Sequence, residues 1–358
     1  MSASDGVAAA NGGSVDLVFE GGGVKGIGLA GAFELLDERG YRPQNVAGTS
    51  AGAINAALVA AGYTSEELRE IVFSLDYRKF EDRRWYVKGH VGLGINVLRE
   101  QGLYRGDEFY RWIKERLDAK KISTFADLTT GDEDPRWSSK LQVIVSDVTS
   151  RRLLILPRDS KQLGIEPDEL EVALAVRMSM SIPIFFEPVR VQNKETNHEH
   201  LLVDGGMLSN FPIWLFDCDT GELPGWPTFG LLLVEPSPKH PITERLPKPT
   251  RGPRGTRGLV DLTSAMVHTM LEAHDRMYLE QETFARTIGI PTLGVGTTEF
   301  DLPKARAEAL YQSGRDAAAK FLETWDFDAY VREFRQGKSH HRREQLAQQL
   351  QEAGVAAG

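Results

Sequence analysis

The segment Gly48-Thr49-Ser50-Ala51-Gly52 has the G-x-S-x-G pattern that presents a serine for nucleophilic attack. It stands between a predicted strand and an alanine-rich predicted helix, which is where a nucleophile elbow forms. Gly48 and Gly52 fit that geometry because a β-carbon in so tight a turn would collide with the neighbouring strand or helix. We therefore predict that Ser50 is a nucleophile. The structural alternative is a small-residue turn that only caps the helix.

A glycine-rich loop, GGGVKG at residues 21–26, follows the apolar run 15–19 and contains the spacing G-x-G-x-x-G. A dinucleotide-binding fold also needs an acidic residue about 20 positions later, but the next predicted strand ends at Gly48 without one. A triphosphate loop ends in Gly-Lys-Ser or Gly-Lys-Thr, whereas Gly26 is followed by Ile27. Nucleotide binding therefore lacks its second requirement, and it remains an alternative beside a turn without a ligand.

The same loop is suited to stabilising a negatively charged oxygen. Glycine tolerates the dihedral angles that point successive backbone amides into one concavity. A tetrahedral intermediate at Ser50 needs such donors, and removing one typically costs about 3 kcal/mol of barrier. We predict an oxyanion hole made by the amides of Gly21, Gly22, Gly23 and Val24. The ammonium group of Lys25 either adds positive charge there or points to solvent, and Gly26 completes the motif.

Asp204 is the predicted proton acceptor for Ser50. The run LLVDGG is typical of a strand that delivers Asp204 into a turn at Gly205 and Gly206, and catalytic groups gather at the carboxyl ends of strands in parallel sheets. A non-functional Asp-Gly turn is the structural alternative. A carboxylate is ordinarily a weaker base than imidazole at neutral pH. The oxyanion loop and the helix N-terminus must therefore supply a large part of the rate.

Histidine is the alternative base. A Ser-Asp-His hydrolase would use His268 or His274, which lie on one predicted helix, although His274 falls on the apolar stripe of that helix and is expected to pack in the core. His198 and His200 belong to the polar run NKETNHEH, which predicts an exposed turn. No histidine follows a strand into a loop of the kind that a hydrolase triad uses.

Together, GGGVKG, GTSAG and DGG resemble the motifs of the patatin-like phospholipase family in their order and spacing. The resemblance implies an α/β fold, a three-layer α/β/α sandwich with a mainly parallel central sheet. It also implies a lipid acyl hydrolase of the phospholipase A or lysophospholipase type, in which Ser50 attacks the ester, Asp204 accepts its proton and an acyl-serine forms. Neither a metal nor a cofactor is implied. Glu20 departs from the aspartate that many members have before the glycines.

The organisation expected from the sequence is one domain over residues 14–336, with a core at 15–212 and C-terminal helices at 259–336. Polar tails are predicted at 1–13 and 337–358. Within the domain, residues 141–146 and 152–156 are predicted to form paired strands, residues 169–178 a helix, and residues 259–288 a long amphipathic helix. Small residues at 28–32 are expected to let the first helix pack closely on the sheet.

Composition limits the partners. A net charge of −9 disfavours nucleic acid as the main ligand, and a single cysteine excludes an intrachain disulfide. With no signal peptide or membrane-spanning run, we expect a cytoplasmic protein whose membrane contact is peripheral. The family resemblance implies a phospholipid or lysophospholipid as substrate. Residues 83–98 and the basic loop 236–258 are candidate lipid-contacting segments or ordinary surface loops. Two alternatives remain: a nucleotide-binding or lipid-binding regulatory protein with an inactive dyad, and a hydrolase that needs an activating partner.

Overall fold

The computed structural model describes residues 13–75, 102–218, 222–235, 281–297, 299 and 301–335. All three motifs fall within these ranges. The candidate lipid-contacting segments 83–98 and 236–258, the polar tail 337–358, and both His268 and His274 lie outside them.

The strands of the described ranges form a mixed eight-stranded sheet in the order β10-β9-β1-β2-β4-β8-β7, with β5 also paired to β4, and a separate pair, β3-β6. Parallel pairing joins β10, β9, β1, β2 and β4, while β5, β8 and β7 pair antiparallel. The strands are β1 (Ser14–Phe19), β2 (Arg42–Thr49), β3 (Gly102–Tyr104), β4 (Leu141–Asp147), β5 (Arg152–Leu156), β6 (Ile184–Phe186), β7 (Val189–Asn193), β8 (His198–Asp204), β9 (Thr228–Val234) and β10 (Thr287–Pro291).

The helices of the same ranges divide into longer α-helices and short 3-10 turns. The α-helices are α1 (Gly26–Glu38), α2 (Ala51–Ala60), α3 (Ser65–Ser74), α4 (Asp107–Ala119), α5 (Val172–Ser179), α6 (Gln281–Ala285), α7 (Lys304–Leu322) and α8 (Phe327–Tyr330), followed by a π-helical turn at Val331–Arg335. The 3-10 turns are Gly23–Lys25, Phe125–Leu128, Ser160–Leu163, Pro167–Glu169, Gly205–Met207 and Ile213–Phe216.

The sheet is the middle layer of an α/β/α sandwich, because alternate strand residues face opposite sides. Leu17 and Val143 belong to the large core that includes α1, α2, α5 and α7. Val18 and Ile144, their neighbours, belong to a smaller core on the other face, which the turn Ile213–Phe216 covers. Central strands buried on both faces are typical of α/β proteins, and the predicted fold class is confirmed.

Local sequence signals fix several of these elements. Thr64 and Glu67 form a capping box at the start of α3, in which each side chain accepts a hydrogen bond from the other residue's amide. The small residues of α1 allow close packing on the sheet, as predicted, since a β-carbon at Gly28 would lie 3.1 Å from Cγ2 of Ile290 in β10. They also allow a close contact between helices. A β-carbon at Gly314 of α7 would lie 2.9 Å from the Ala32 amide nitrogen, so α1 packs backbone to backbone against α7.

Other predictions are met in part. The paired strands at 141–146 and 152–156 are confirmed as β4 and β5. The long helix predicted to Ile288 is wrong at its end, because α6 stops at Ala285 and Ile288 lies in β10, fully buried. The exposed turn predicted at His200 is also wrong, since β8 begins at His198 and His200 binds Asp147, with 2.7 Å between Nδ1 and Oδ2.

The ends of β2 and β8 meet beside β4. Ile144 and Val145 are consecutive residues of β4, and both pair with β5 on one side. On the opposite side Ile144 pairs with Thr49, the last residue of β2, and Val145 pairs with Asp204, the last residue of β8. Since β2 and β8 run in opposite directions along β4, their carboxyl ends face each other. This juxtaposition places the residue after Thr49 next to Asp204.

Candidate active site

Ser50 occupies a strained turn between β2 and α2. Its backbone angles are φ 53° and ψ −125°, a region that non-glycine residues rarely adopt and that costs about 1–3 kcal/mol. The flanking glycines permit the close approach that the turn requires. A β-carbon at Gly48 would lie 2.7 Å from the Ala53 amide nitrogen, and one at Gly52 would lie 2.7 Å from the Phe19 carbonyl carbon. The local geometry is that of a nucleophile elbow.

Asp204 is fully buried at the end of β8. Its backbone amide donates to the Ser181 carbonyl oxygen (3.0 Å), and its Oδ1 accepts the Gly206 amide hydrogen bond (2.8 Å). Burial raises the pKa of Asp204 to about 7, although the nearby Ser50 hydroxyl and the hydrogen bond from the Gly206 amide act in the opposite direction. A carboxyl group with this pKa is much better matched to general-base chemistry at neutral pH than an ordinary aspartate.

The Ser50 hydroxyl lies beside Asp204 without a fully formed hydrogen bond to it. Within the described residues, Oδ2 of Asp204 is buried and has no hydrogen-bond partner. The hydroxyl of Ser50 is directed toward Met180 Sδ, 3.7 Å away. Hydrogen bonds between catalytic groups are often long in the absence of substrate and shorten when it binds. The free Oδ2 is therefore a vacant acceptor next to the hydroxyl.

The glycine loop lies directly against Ser50. A β-carbon at Gly21 would stand 3.2 Å from Cβ of Ser50. The amides of Gly21 and Val24 donate to the carbonyl oxygens of Asn210 and Thr297, each at 3.1 Å, so these two amides are already engaged.

Two of the four amides predicted to bind the oxyanion have no hydrogen-bond acceptor in the described part of the chain. Gly22 and Gly23 have no acceptor for their amides within the described ranges. Gly23 has φ 57°, which turns the chain into the short helix Gly23–Lys25 and which glycine adopts without strain. Lys25 is half-buried in that helix. Of the four predicted donors, the amides of Gly22 and Gly23 are therefore the ones without an acceptor among the described residues, and the oxyanion hole stays a prediction.

Asn210 and Glu20 position the glycine loop, and sequence analysis gave neither this role. The Asn210 side-chain amide donates to Gly21 O (3.1 Å) and Glu20 Oε1 (3.2 Å), and Oε2 of Glu20 accepts from the Leu233 amide of β9. Both side chains are buried. The only signal in the sequence was a polar residue, Asn210, close after the DGG motif, and no pattern revealed its partners.

The C-terminal end of α5 and the residues that follow it contact both predicted catalytic residues. The Ser50 amide donates to Ser179 Oγ (2.9 Å), whose hydroxyl donates to the Ile144 carbonyl oxygen (2.7 Å). The Ser181 carbonyl oxygen accepts a hydrogen bond from the Asp204 backbone amide. Beside these, a β-carbon at Gly205 would lie 2.6 Å from the carbonyl carbon of Ile144, so the residue after Asp204 also needs to be small.

Comparison with known proteins identifies the family. A family model described as patatin-like phospholipase matches residues 17–217, which contain the three motifs together with Ser179, Ser181 and Asn210. The chain belongs to the patatin-like phospholipase family.

Comparisons with individual proteins add to the family match. The chain is 38% identical to YqhO of Bacillus subtilis over 314 residues, covering 87% of this chain and 99% of YqhO. It is 25% identical over 197 residues to the probable lipid hydrolase 463L of invertebrate iridescent virus 6, covering 55% and 61% of the two chains. The crystal structure of VipD from Legionella pneumophila shares the fold, with a TM-score of 0.50, 18% identity, and 88% of this chain and 67% of VipD covered.

Two further structural facts bear on the patatin-like site. In the described part of the chain, no group of three or more histidine, cysteine, aspartate or glutamate residues could hold a metal ion. Among the helices of those ranges, none combines the length and apolar character needed to cross a bilayer.

Proposed function

We propose that this chain is a lipid acyl hydrolase of the phospholipase A or lysophospholipase type, in which Ser50 is the nucleophile and Asp204 the base. One observation carries the proposal. Ser50 lies on a strained nucleophile elbow next to Asp204, which is fully buried and has a pKa of about 7. Family membership and the 463L relative, which is named a probable lipid hydrolase, support a lipid ester as substrate.

Acylation begins with Ser50 Oγ attacking the ester carbonyl carbon while Oδ2 of Asp204 accepts the hydroxyl proton. The carbonyl oxygen becomes negatively charged in the tetrahedral intermediate. The open amides of Gly22 and Gly23, together with the positive N-terminal end of α2, stabilise that charge. The intermediate then collapses, the carbon–oxygen bond to the leaving alcohol breaks, and Asp204 returns the proton to that alcohol.

Deacylation repeats these steps with water. Asp204 accepts a proton from a water molecule that attacks the acyl-serine, and the same two amides stabilise the second oxyanion. Collapse of this intermediate releases the fatty acid, and the proton held by Asp204 regenerates the Ser50 hydroxyl. Because Asp204 accepts protons directly, the scheme needs no histidine.

A fluorophosphonate probe tests the proposed nucleophile. We expect the probe to form an adduct on Ser50 in the wild-type protein, located by peptide mass spectrometry. Ser50→Ala should abolish both the adduct and fatty-acid release from phosphatidylcholine and lysophosphatidylcholine vesicles. Ser138→Ala, a change at a partly exposed loop serine, is the matched control. Unchanged fatty-acid release by a folded Ser50→Ala variant would contradict the proposal.

Asp204→Asn tests the proposed base, with Asp168→Asn at an exposed 3-10 turn as its control. The asparagine keeps the shape of the side chain but accepts a proton far more weakly, and general-base catalysis contributes about 10²–10⁴-fold. We expect a loss of that size in fatty-acid release. If Asp204→Asn kept full activity and either His268→Ala or His274→Ala lost fatty-acid release, the histidine alternative would be favoured instead. Labelling at Ser50 without turnover would indicate a need for an activating partner.

A further inference from the structure

Ser179 interrupts the hydrogen-bond ladder between β2 and β4. In that ladder the Val46 amide donates to the Lys140 carbonyl oxygen (2.7 Å), and parallel strands repeat such bonds at every second residue. With the observed register, the regular acceptor for the Ser50 amide is the Ile144 carbonyl. Instead, the Ser50 amide donates to Ser179 Oγ, and the Ser179 hydroxyl donates to that same Ile144 carbonyl.

We propose that Ser179 is a positioning residue for the reaction at Ser50, an inference that rests on the proposed function. Two hydrogen bonds in series, 2.9 and 2.7 Å long, take the place of one direct amide–carbonyl bond of about 2.9 Å. The inserted hydroxyl therefore holds the Ser50 backbone away from β4 at the level where Asp204 joins it. Ser50 leaves the sheet with positive φ, and its side chain stands beside the carboxyl group of Asp204.

A serine is chemically suited to this place because a hydroxyl accepts one hydrogen bond and donates another. Ser179 is fully buried, so its removal would leave the Ser50 amide and the Ile144 carbonyl without water to replace it. The two residues that follow reinforce the arrangement. Met180 Sδ contacts the Ser50 hydroxyl, and the Ser181 carbonyl holds the Asp204 amide.

The test measures reactivity at Ser50 in Ser179→Ala and Ser179→Cys. Displacement of a reacting group by about 1 Å lowers rates on the order of 100-fold, so we expect both variants to react with a fluorophosphonate roughly 10- to 100-fold more slowly. The kcat for fatty-acid release should fall by a similar factor with KM nearly unchanged, because Ser179 is fully buried and has no surface available for lipid. Cysteine nearly preserves the side-chain volume of serine but is a weak hydrogen-bond donor and acceptor. Ser179→Cys therefore distinguishes the loss of the two hydrogen bonds from a loss of packing.

Ser160→Ala is the matched control, because Ser160 is also fully buried but its hydroxyl has no partner within the described residues. It should retain wild-type labelling, and its unfolding midpoint gives the general effect of removing a buried hydroxyl. Wild-type labelling rates in folded Ser179→Ala or Ser179→Cys would overturn the inference while leaving the proposed function intact. Absence of a Ser50 adduct in the wild-type protein would instead overturn the proposed function and, with it, this inference.

Discussion

At Asp204, burial gives the carboxyl group basicity and at the same time destabilises its ionised form. The side chain is fully buried, Oδ2 has no hydrogen-bond partner in the described ranges, and the pKa is about 7. An ordinary aspartate has its pKa near 4. The expectation that a carboxylate must be a poor base at neutral pH therefore does not hold for this environment, because desolvation moves the pKa into the range where general bases work best.

The rate of Ser50 labelling should follow the ionisation of Asp204. Only the deprotonated carboxylate can accept the Ser50 proton, so we expect the rate to rise about tenfold per pH unit below a pKa near 7 and to level off above it. The rate of fluorophosphonate labelling, measured at a series of pH values between 5 and 9, gives this profile. A rate independent of pH across that range would argue against Asp204 as the base.

The same pKa predicts that Asp204 lowers stability at high pH. The folded-state pKa of about 7 exceeds the ordinary value of 3.8, so between these values the native state holds a proton that the unfolded state releases. The free energy of unfolding should therefore fall as pH rises from about 4 to 7, by up to about 4 kcal/mol. Asp204→Asn should remove this contribution and be more stable than wild type at pH 8 but not at pH 4.

Urea unfolding of wild type and Asp204→Asn at both pH values measures the difference. Asp168→Asn, at an exposed site, should show no such pH-dependent gain. An equal effect of Asp204→Asn at pH 4 and pH 8 would show that the Asp204 pKa does not differ between the folded and unfolded states.

At the scale of elements, β1 is held at both ends by an asparagine–carboxylate pair. Asn45 donates to Asp16 Oδ1 (2.9 Å) at the start of the strand, and Asn210 donates to Glu20 Oε1 (3.2 Å) just beyond its end. All four side chains are buried. Only the second pair also bonds to the glycine loop, through Gly21. Comparing variants of the two pairs therefore distinguishes an effect on stability alone from an effect on the predicted oxyanion site.

Asn210→Ala should lower kcat by roughly 10- to 100-fold, because the glycine loop loses the bonds that hold its amides toward Ser50. Asn45→Ala, the matched control, should lose a comparable free energy of unfolding, about 1–3 kcal/mol, with kcat unchanged. Steady-state hydrolysis and urea unfolding of both variants test this expectation. Equal losses of kcat in the two variants would indicate a purely structural role for Asn210.

For the whole molecule, elements beyond the family match at residues 17–217 complete the fold. The strand β10 extends the sheet beside β9, and α7 packs against α1. Arg315 of α7 also binds Glu34 and Glu38 of α1. Because α1 begins at the glycine loop, the C-terminal elements support the element that carries the predicted oxyanion site.

Gly314→Ala should destabilise the folded protein by about 1–3 kcal/mol, since its β-carbon would press on the α1 backbone at Gly28 and Ala32. Gly225→Ala is the control, because a β-carbon there meets nothing within 4 Å. Thermal unfolding of both variants measures the difference. Equal midpoints would show that the two helices have room to separate.

The sequence predicted what depends on local pattern and missed what depends on tertiary contact. The G-x-S-x-G turn, the capping box at Thr64 and the strand before Asp204 all have local signatures. The direction of β8 has none, because period-two alternation is the same for a parallel or an antiparallel strand. Ser179 and Asn210 were missed for a related reason, since their partners are far away in the chain and only the fold brings them together.

The junction of β2 and β8 along β4 has a consequence for variation among relatives. The spacing between Ser50 and Asp204 is set by two successive rungs of one strand, Ile144 and Val145, and not by the long connection that separates the two residues in the chain. Insertions and deletions in the connecting loops can therefore accumulate without moving one group relative to the other. A single residue inserted between positions 144 and 145 would separate them at once.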